Sequence, residues 1–346
     1  MELTERQKQI LFATVKTYIS TGEPVGSKIL CQVMPIKVSS ATVRAVLSDL
    51  CEMGFLNQPH TSAGRVPSAA GYRFFIEQLL DNRLLNVEDK QRIDGIIGSI
   101  SGSPEAILES ACELLATLTG CAAMVTTPHG KDATVKSIQF IKIMPRTIMI
   151  VAVTSNGTIK NRVARLEHDI TADQLNMVYT ATSTVLINKK LEDVSIALSQ
   201  DIICKLGLDM LLLAPIVSTA IETVISAFES ELKLKGEANL LIHSGFTGDR
   251  AARIVNYLQN HSSVMNMLKN QHNNITVVLG GETNEDALTE SGVIISHYKM
   301  ADNSMGSIGV LGPERMNYEK IIPAIMYFSD SLGRLLSDGA FEDMNF

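Results

Sequence analysis

The sequence predicts a multidomain α+β protein, with a helical module at the N-terminus and an α/β region into which a mostly helical segment is inserted. Three observations carry that expectation. Three short helix signatures and a hairpin signature fill the first 67 residues. Apolar runs of strand length cluster at residues 121–166 and again at 275–311, with helical periodicity between them. A chain of 346 residues also exceeds what one hydrophobic core ordinarily organises.

The elements follow in order. Thr4 and Gln7 have capping-box spacing and open a first helix with an apolar stripe at Leu11, Val15 and Tyr18/Ile19; Gly22 and Pro24 end it. Ser27 is placed to cap a short second helix that buries Ile29, Leu30 and Val33. Ser39 or Ser40 caps a third, with Val43, Leu47 and Leu50 on one face and Gly54 just past its end. The opposite face carries Thr42, Arg44, Ala45 and Ser48, with no large hydrophobe. Residues 55–59 are extended, residues 60–67 form a loop, and Ser68 caps a fourth helix that buries Tyr72, Phe75, Ile76 and Leu79. Helix, helix, helix, hairpin is the winged helix-turn-helix order.

Residues 83–104 read as a polar helical linker, and residues 104–118 as an amphipathic helix. Strands are expected at 121–127, 135–144, 147–155 and 158–166, the last two joined by an Asn156-Gly157 turn. Helices are expected at 171–187 and, as one long element, at 210–234, with a short strand at 239–243. Strands return at 275–279, 293–298 and 307–311, and a helix closes the chain from 318 to 336.

Composition narrows the function classes. Of the chain, 45% is apolar and 19% charged, as in a folded globular protein. A polar start and the lack of a long uncharged apolar run imply a cytoplasmic location with no membrane partner. The net charge of −7 is unevenly spread: residues 1–83 hold nine Lys/Arg against seven Asp/Glu, a net +2, while the remainder is −9. Affinity for phosphate is therefore expected in the N-terminal module. Five cysteines without a CxxC pair, and histidines without ligand spacing, predict no metal and no cofactor. Asn239–Gly245 lacks the spacing of a phosphate-binding loop, and Gly280-Gly-Glu282 is a lone glycine pair read as a turn. No nucleophile–base pair or carboxylate pair stands at recognisable spacing, so catalysis is not expected.

Several stretches resemble the HrcA family of heat-inducible transcription repressors. They are Tyr18-Ile-Ser-Thr-Gly-Glu-Pro-Val-Gly-Ser27, Ser39-Ser-Ala-Thr-Val-Arg44, Gln58-Pro-His-Thr-Ser-Ala-Gly-Arg-Val-Pro67, Gly71-Tyr-Arg-Phe-Phe75 and, near the other end, Gly306-Ser-Ile-Gly-Val-Leu-Gly-Pro-Glu-Arg-Met-Asn-Tyr318. The resemblance implies a homodimer that binds an inverted-repeat DNA operator called CIRCE, represses chaperone operons and depends on a GroEL-type chaperonin. It also implies an architecture: a winged helix-turn-helix at 1–82, a helical linker at 83–104, a GAF-like α/β domain at 105–188 and 272–346, and an inserted dimerisation domain at 189–271.

One departure stands in the third helix, where Ala45-Val46 replaces the family's Asn-Asp. Alanine cannot make the paired hydrogen bonds of asparagine to adenine, although its methyl fits against a thymine methyl. A different operator preference, or a diverged paralogue, follows as an alternative. Another is a ligand-gated regulator that senses a small molecule through the GAF-like domain.

The expected DNA-binding residues are Ser39, Ser40, Thr42, Arg44 and Ala45 on the third helix, His60, Thr61, Ser62, Gly64 and Arg65 at the hairpin tip, and Arg73 beyond it. Hydroxyls and free N–H groups at a helix start suit phosphate oxygens, and arginine suits guanine edges or a narrow minor groove. Each has a plainer role: capping for the serines, solvation or pairing with Ser48 or Asp49 for Arg44, a turn packed on Pro59 for His60. The dimer contact is assigned to the 210–234 helix, with Leu211, Leu212, Leu213, Val217 and Ile221, although burial in a domain core explains them equally well.

Overall fold

A computed structural model describes residues 3–34, 38–61, 63–81, 85, 87–98, 100, 102–128, 133–155, 157–206, 208–228, 230–242, 246, 248–269, 274–301 and 303–342. The chain starts with α1 (Glu5–Thr21), α2 (Ser27–Val33) and α3 (Ser40–Glu52), followed by an antiparallel pair of very short strands, β1 (Leu56–Asn57) and β2 (Val66–Pro67). Local chemistry fixes these limits. Thr4 and Gln7 form a reciprocal capping box on α1, and Gly22 closes it in the left-handed region. Ser39 caps α3, and Gly54 lies just past its end with φ 82°. The expected cap of α2 is corrected: Gly26 precedes the helix without a side-chain bond, and Ser27 is its first residue. α4 (Ala69–Asp81) and α5 (Val87–Ile97) lead to α6 (Pro104–Thr119).

Five antiparallel strands make the main sheet: β7 (Leu232–Lys235), β3 (Ala122–Thr126), β10 (Met305–Pro313), β9 (Ser291–Lys299) and β8 (Ile275–Leu279), in that order. Both faces are covered, so β3 and most of β9 and β10 are buried on both sides, whereas the edge strand β7 alternates Leu and Lys. Ala123, Val125, Val277, Ile294, Ile308 and Val310 face a core that also holds α6 and α13 (Tyr318–Glu342). Ala122, Met124, Val293, Ile295 and Leu311 face α10 (Glu237–Ile242), α11 (Gly248–Gln259) and α12 (His261–Lys269).

A second sheet, β4 (Val135–Met144), β5 (Thr147–Thr154) and β6 (Ile159–Arg165), packs on α7 (Ala172–Leu186), α8 (Ala197–Leu206) and α9 (Ala214–Phe228). Its core runs from Ala133 to Val224 and is separate from the other two. This corrects the expected grouping of 105–188 with 272–346. The three strands do not join the main sheet, and residues 232–269 belong with it rather than apart. Period-two patterning tells which face of a strand is buried but not which sheet it joins.

The long 210–234 helix is broken into a 3-10 turn (Leu208–Leu213), α9 and β7. Leu213, Val217 and Ile221 are core residues, while Leu211 and Leu212 are exposed, so burial explains most of that stripe. The strand expected at 239–243 is instead α10, entered from Gly236 at φ 81°; residue 243 lies outside the described residues, as does Asn156 of the β5–β6 turn.

Candidate nucleic-acid interface

The site is built on α3 and the β1–β2 hairpin. Val43, Leu47 and Leu50 are buried and anchor α3, which leaves Arg44, Ala45 and Ser48 on the exposed face. The Ser39 hydroxyl accepts from the Thr42 N–H at 3.1 Å and shares a hydrogen bond with the Thr42 hydroxyl at 2.8 Å. Ser40 Oγ meets Ser27 Oγ at 2.9 Å and ties the start of α3 to that of α2. These hydroxyls thus cap and brace the helix before they touch any ligand.

The hairpin is held from inside. Val25 and Arg65 exchange both backbone hydrogen bonds, at 2.8 and 2.9 Å. Gly64 is needed there, since a Cβ would stand 2.6 Å from the Pro24 carbonyl. Its close approach is therefore to its own chain. Ala63 N–H donates to the His60 carbonyl at 2.9 Å, and the Gln58 amide donates to the Thr61 carbonyl at 2.8 Å, so the loop is pre-shaped. His60 and Thr61 are exposed at its tip, and Ser62 lies outside the described residues.

Between helix and hairpin lies a cleft of about 610 Å³, lined by Arg44 and Leu47 of α3, Gln58, Gly64 and Arg65 of the hairpin, and Lys28 of α2. Three cations line it, and no carboxylate does among the described residues. Arg44 forms no ion pair among the described residues, so the expected alternative with Asp49 is not made. Arg65 reaches the Ala63 carbonyl at 3.4 Å, but its buried Nε has no acceptor. A buried donor without a partner is costly.

Arg73 is placed elsewhere, which corrects its expected role. Its Nε donates to Glu282 Oε1 at 2.9 Å, its Nη2 pairs with Glu282 Oε2, and its Nη1 donates to the Val277 carbonyl at 2.9 Å. A guanidinium so occupied has little left for phosphate. Conversely, Lys28 and Gln58 were not singled out in the sequence. An exposed lysine one residue after the buried Ser27 was the available signal, because it sits on the open side of a helix two turns long.

Known proteins resemble the chain over most of its length. The family profile described as HrcA protein C terminal domain matches residues 105–322. Heat-inducible transcription repressor HrcA of Clostridium tetani (strain Massachusetts / E88) is 31% identical over 341 residues, which cover 98% of this chain and 97% of that one. The repressor of the same name from Brevibacillus brevis (strain 47) is 30% identical, with 97% and 98% covered. The crystal structure of a hypothetical protein at 2.2 Å resolution superposes with a TM-score of 0.66 at 20% identity, covering 98% of this chain and all of that one, and so shares its fold. With a profile match over most of its length and full-length relatives at this identity, the chain belongs to the HrcA family.

Proposed function

We infer that the protein is a heat-inducible transcription repressor that binds an inverted-repeat operator of the CIRCE type as a homodimer. The observation that carries this reading is the cleft between α3 and the hairpin, lined by Lys28, Arg44 and Arg65 and by no carboxylate among the described residues. In this reading residues 1–82 are a winged helix-turn-helix. α3 enters the major groove and offers Arg44 and Ala45 to base edges. Ser39, Ser40 and Thr42 meet phosphates at its start. His60, Thr61, Ser62, Gly64 and Arg65 follow the backbone or the adjacent minor groove. The five-stranded unit is the GAF-like domain, residues 133–224 form an inserted dimerising unit, and a GroEL-type chaperonin assists the active form, as the family resemblance implies.

The test is a titration of the full chain with a CIRCE-type repeat and with scrambled DNA at one fixed salt concentration. The repeat should be preferred, and Arg44→Ala should weaken it by about tenfold or more, the 1–3 kcal/mol of one bidentate base contact. Arg65→Ala should weaken both DNAs alike if it holds phosphate. Equal affinity for repeat and scrambled DNA would sink the reading. Selection of another palindrome would assign the change to Ala45-Val46.

A further inference from the structure

Between the N-terminal head (α1–α4) and the five-stranded unit, charged side chains cross in both directions. From the head, Arg73 on α4 spans the gap to Glu282 and to the Val277 carbonyl at the end of β8. Glu282 is itself seated, because its carboxylate also accepts from the Leu279 N–H at 3.1 Å. From the other side, Arg315, between β10 and α13, lays its guanidinium in the space that a side chain at Gly22 would fill. Gly22 is the left-handed cap of α1, so a cation meets the negative end of that helix. Lys16 on α1 pairs with Glu319 on α13 at 2.6 Å, and the Tyr72 and Tyr318 rings meet at 6.3 Å.

These contacts are poor candidates for stability alone. The side chains of Arg73 and Glu282 are 30% and 37% exposed, and pairs of that exposure contribute little in water. What a forked, two-point pair adds to the packing of the shared core is a directional, hydrogen-bonded constraint. The position matters too. Gly22 lies three residues before Val25, whose backbone pairs with Arg65 in the hairpin.

We propose that Arg73–Glu282 and Arg315–Gly22 form a two-point clamp that sets the orientation of the head on the five-stranded unit, and thereby the half-site spacing a dimer accepts. The proposal rests on the dimeric repressor reading. Neither arginine touches DNA; both are positioning residues. A head held at one angle presents its α3 at one separation from its twin, and half-sites about one helical turn apart must match it. A loosened head still reads one half-site, but it pays ordering entropy to reach the second.

The experiment uses the full chain, a single half-site duplex, and a set of inverted repeats whose spacer changes one base pair at a time. Glu282→Gln and Arg315→Ala are compared with wild type, and Arg315→Lys serves as the conservative control. Wild type should peak at one spacing. Both clamp variants should keep half-site affinity within about twofold, lose about tenfold at the best spacing and show a flattened profile. Arg315→Lys should restore the peak. Spacing profiles as sharp as wild type in both variants overturn the clamp. So does a melting point lowered until head and five-stranded unit unfold at the assay temperature, which would make these pairs stability elements. Failure of the repressor reading is distinct, because wild type would then select no inverted repeat at any spacing.

Discussion

Residues 3–81 and residues 133–224 both join the five-stranded sheet, and they join it differently. The head has no core of its own: Ile10, Leu50, Phe75 and Ile76 belong to one continuous cluster with Leu108, Val310, Tyr318 and Phe328. The three-stranded unit keeps a separate core, and two chain crossings connect it to the rest. At those crossings Thr127 and Glu231 exchange hydrogen bonds, at 2.9 Å from Thr127 N–H to the Glu231 carbonyl and 2.8 Å from Glu231 N–H to the Thr127 hydroxyl. A shared core couples the folding of head and sheet, whereas separate cores permit separate opening. A loss of packing in the sheet would therefore reach the cleft between α3 and the hairpin, but a loss in the three-stranded unit would not.

The strongest way to break that comparison is to open one cavity on each side of it. Phe75 is fully buried, with Phe12 edge-on at 5.6 Å, so Phe75→Ala should cost about 3–5 kcal/mol. Calorimetry should show head and five-stranded unit melting earlier as one transition. Ile150→Ala, in the separate core, should cost roughly 3 kcal/mol and lower only a second transition. A single transition shifted by both substitutions would show the cores to be coupled after all.

The thiols sharpen the same contrast on a smaller scale. Cys204 on α8 is exposed, whereas Cys112 and Cys121 lie in the shared core. Burial pushes both of those thiols up to about 12, which keeps them protonated and unreactive near neutral pH. A maleimide at pH 7 should modify Cys204 in the native protein and reach Cys112 and Cys121 only as head and sheet open. Phe75→Ala should hasten the slow pair and Ile150→Ala should not. Mass spectrometry of the modified peptides separates the two cases, and early labelling of Cys112 would contradict the shared core.

How much of this could be read from sequence divides along the range of the interactions. The Thr4/Gln7 box, the Gly22 cap, the Ser39 cap and the α3 stripe are signals within a turn or two of the helix they define, and they located the head and its exposed face. The sheet that β4, β5 and β6 join is set by contacts their own patterns do not encode. β7 was hidden because its Leu-Lys alternation lasts only four residues beside the long helical pattern of α9, and α10 passed for a strand because it is too short to display helical periodicity. At the site, Arg44 and Arg65 were legible as exposed cations in a helix–hairpin pattern. Arg73 looked the same in sequence, and only Glu282, 209 residues away, tells it apart.

The smallest expected effect lies at the crossing between the two cores and follows from charge. Glu231 pairs with Lys160 of β6 and with Lys233 of β7, the second at 3.2 Å. The hydrogen bond from Lys160 is the largest influence and holds the Glu231 carboxyl below its ordinary value, against a desolvation that raises it. A carboxylate with a depressed folded-state value contributes stability that is present above its unfolded value and is lost as pH falls through the folded one. The gain should therefore begin to fall below about pH 4 and be lost as pH drops through the folded value, and high salt should screen part of it because Glu231 is 41% exposed. Lys160→Gln should remove that acid-limb slope from the transition of the three-stranded unit and leave the head-and-sheet transition in place. An unchanged slope would mean that the two Thr127–Glu231 hydrogen bonds, neither of which titrates, hold the crossing without help from charge.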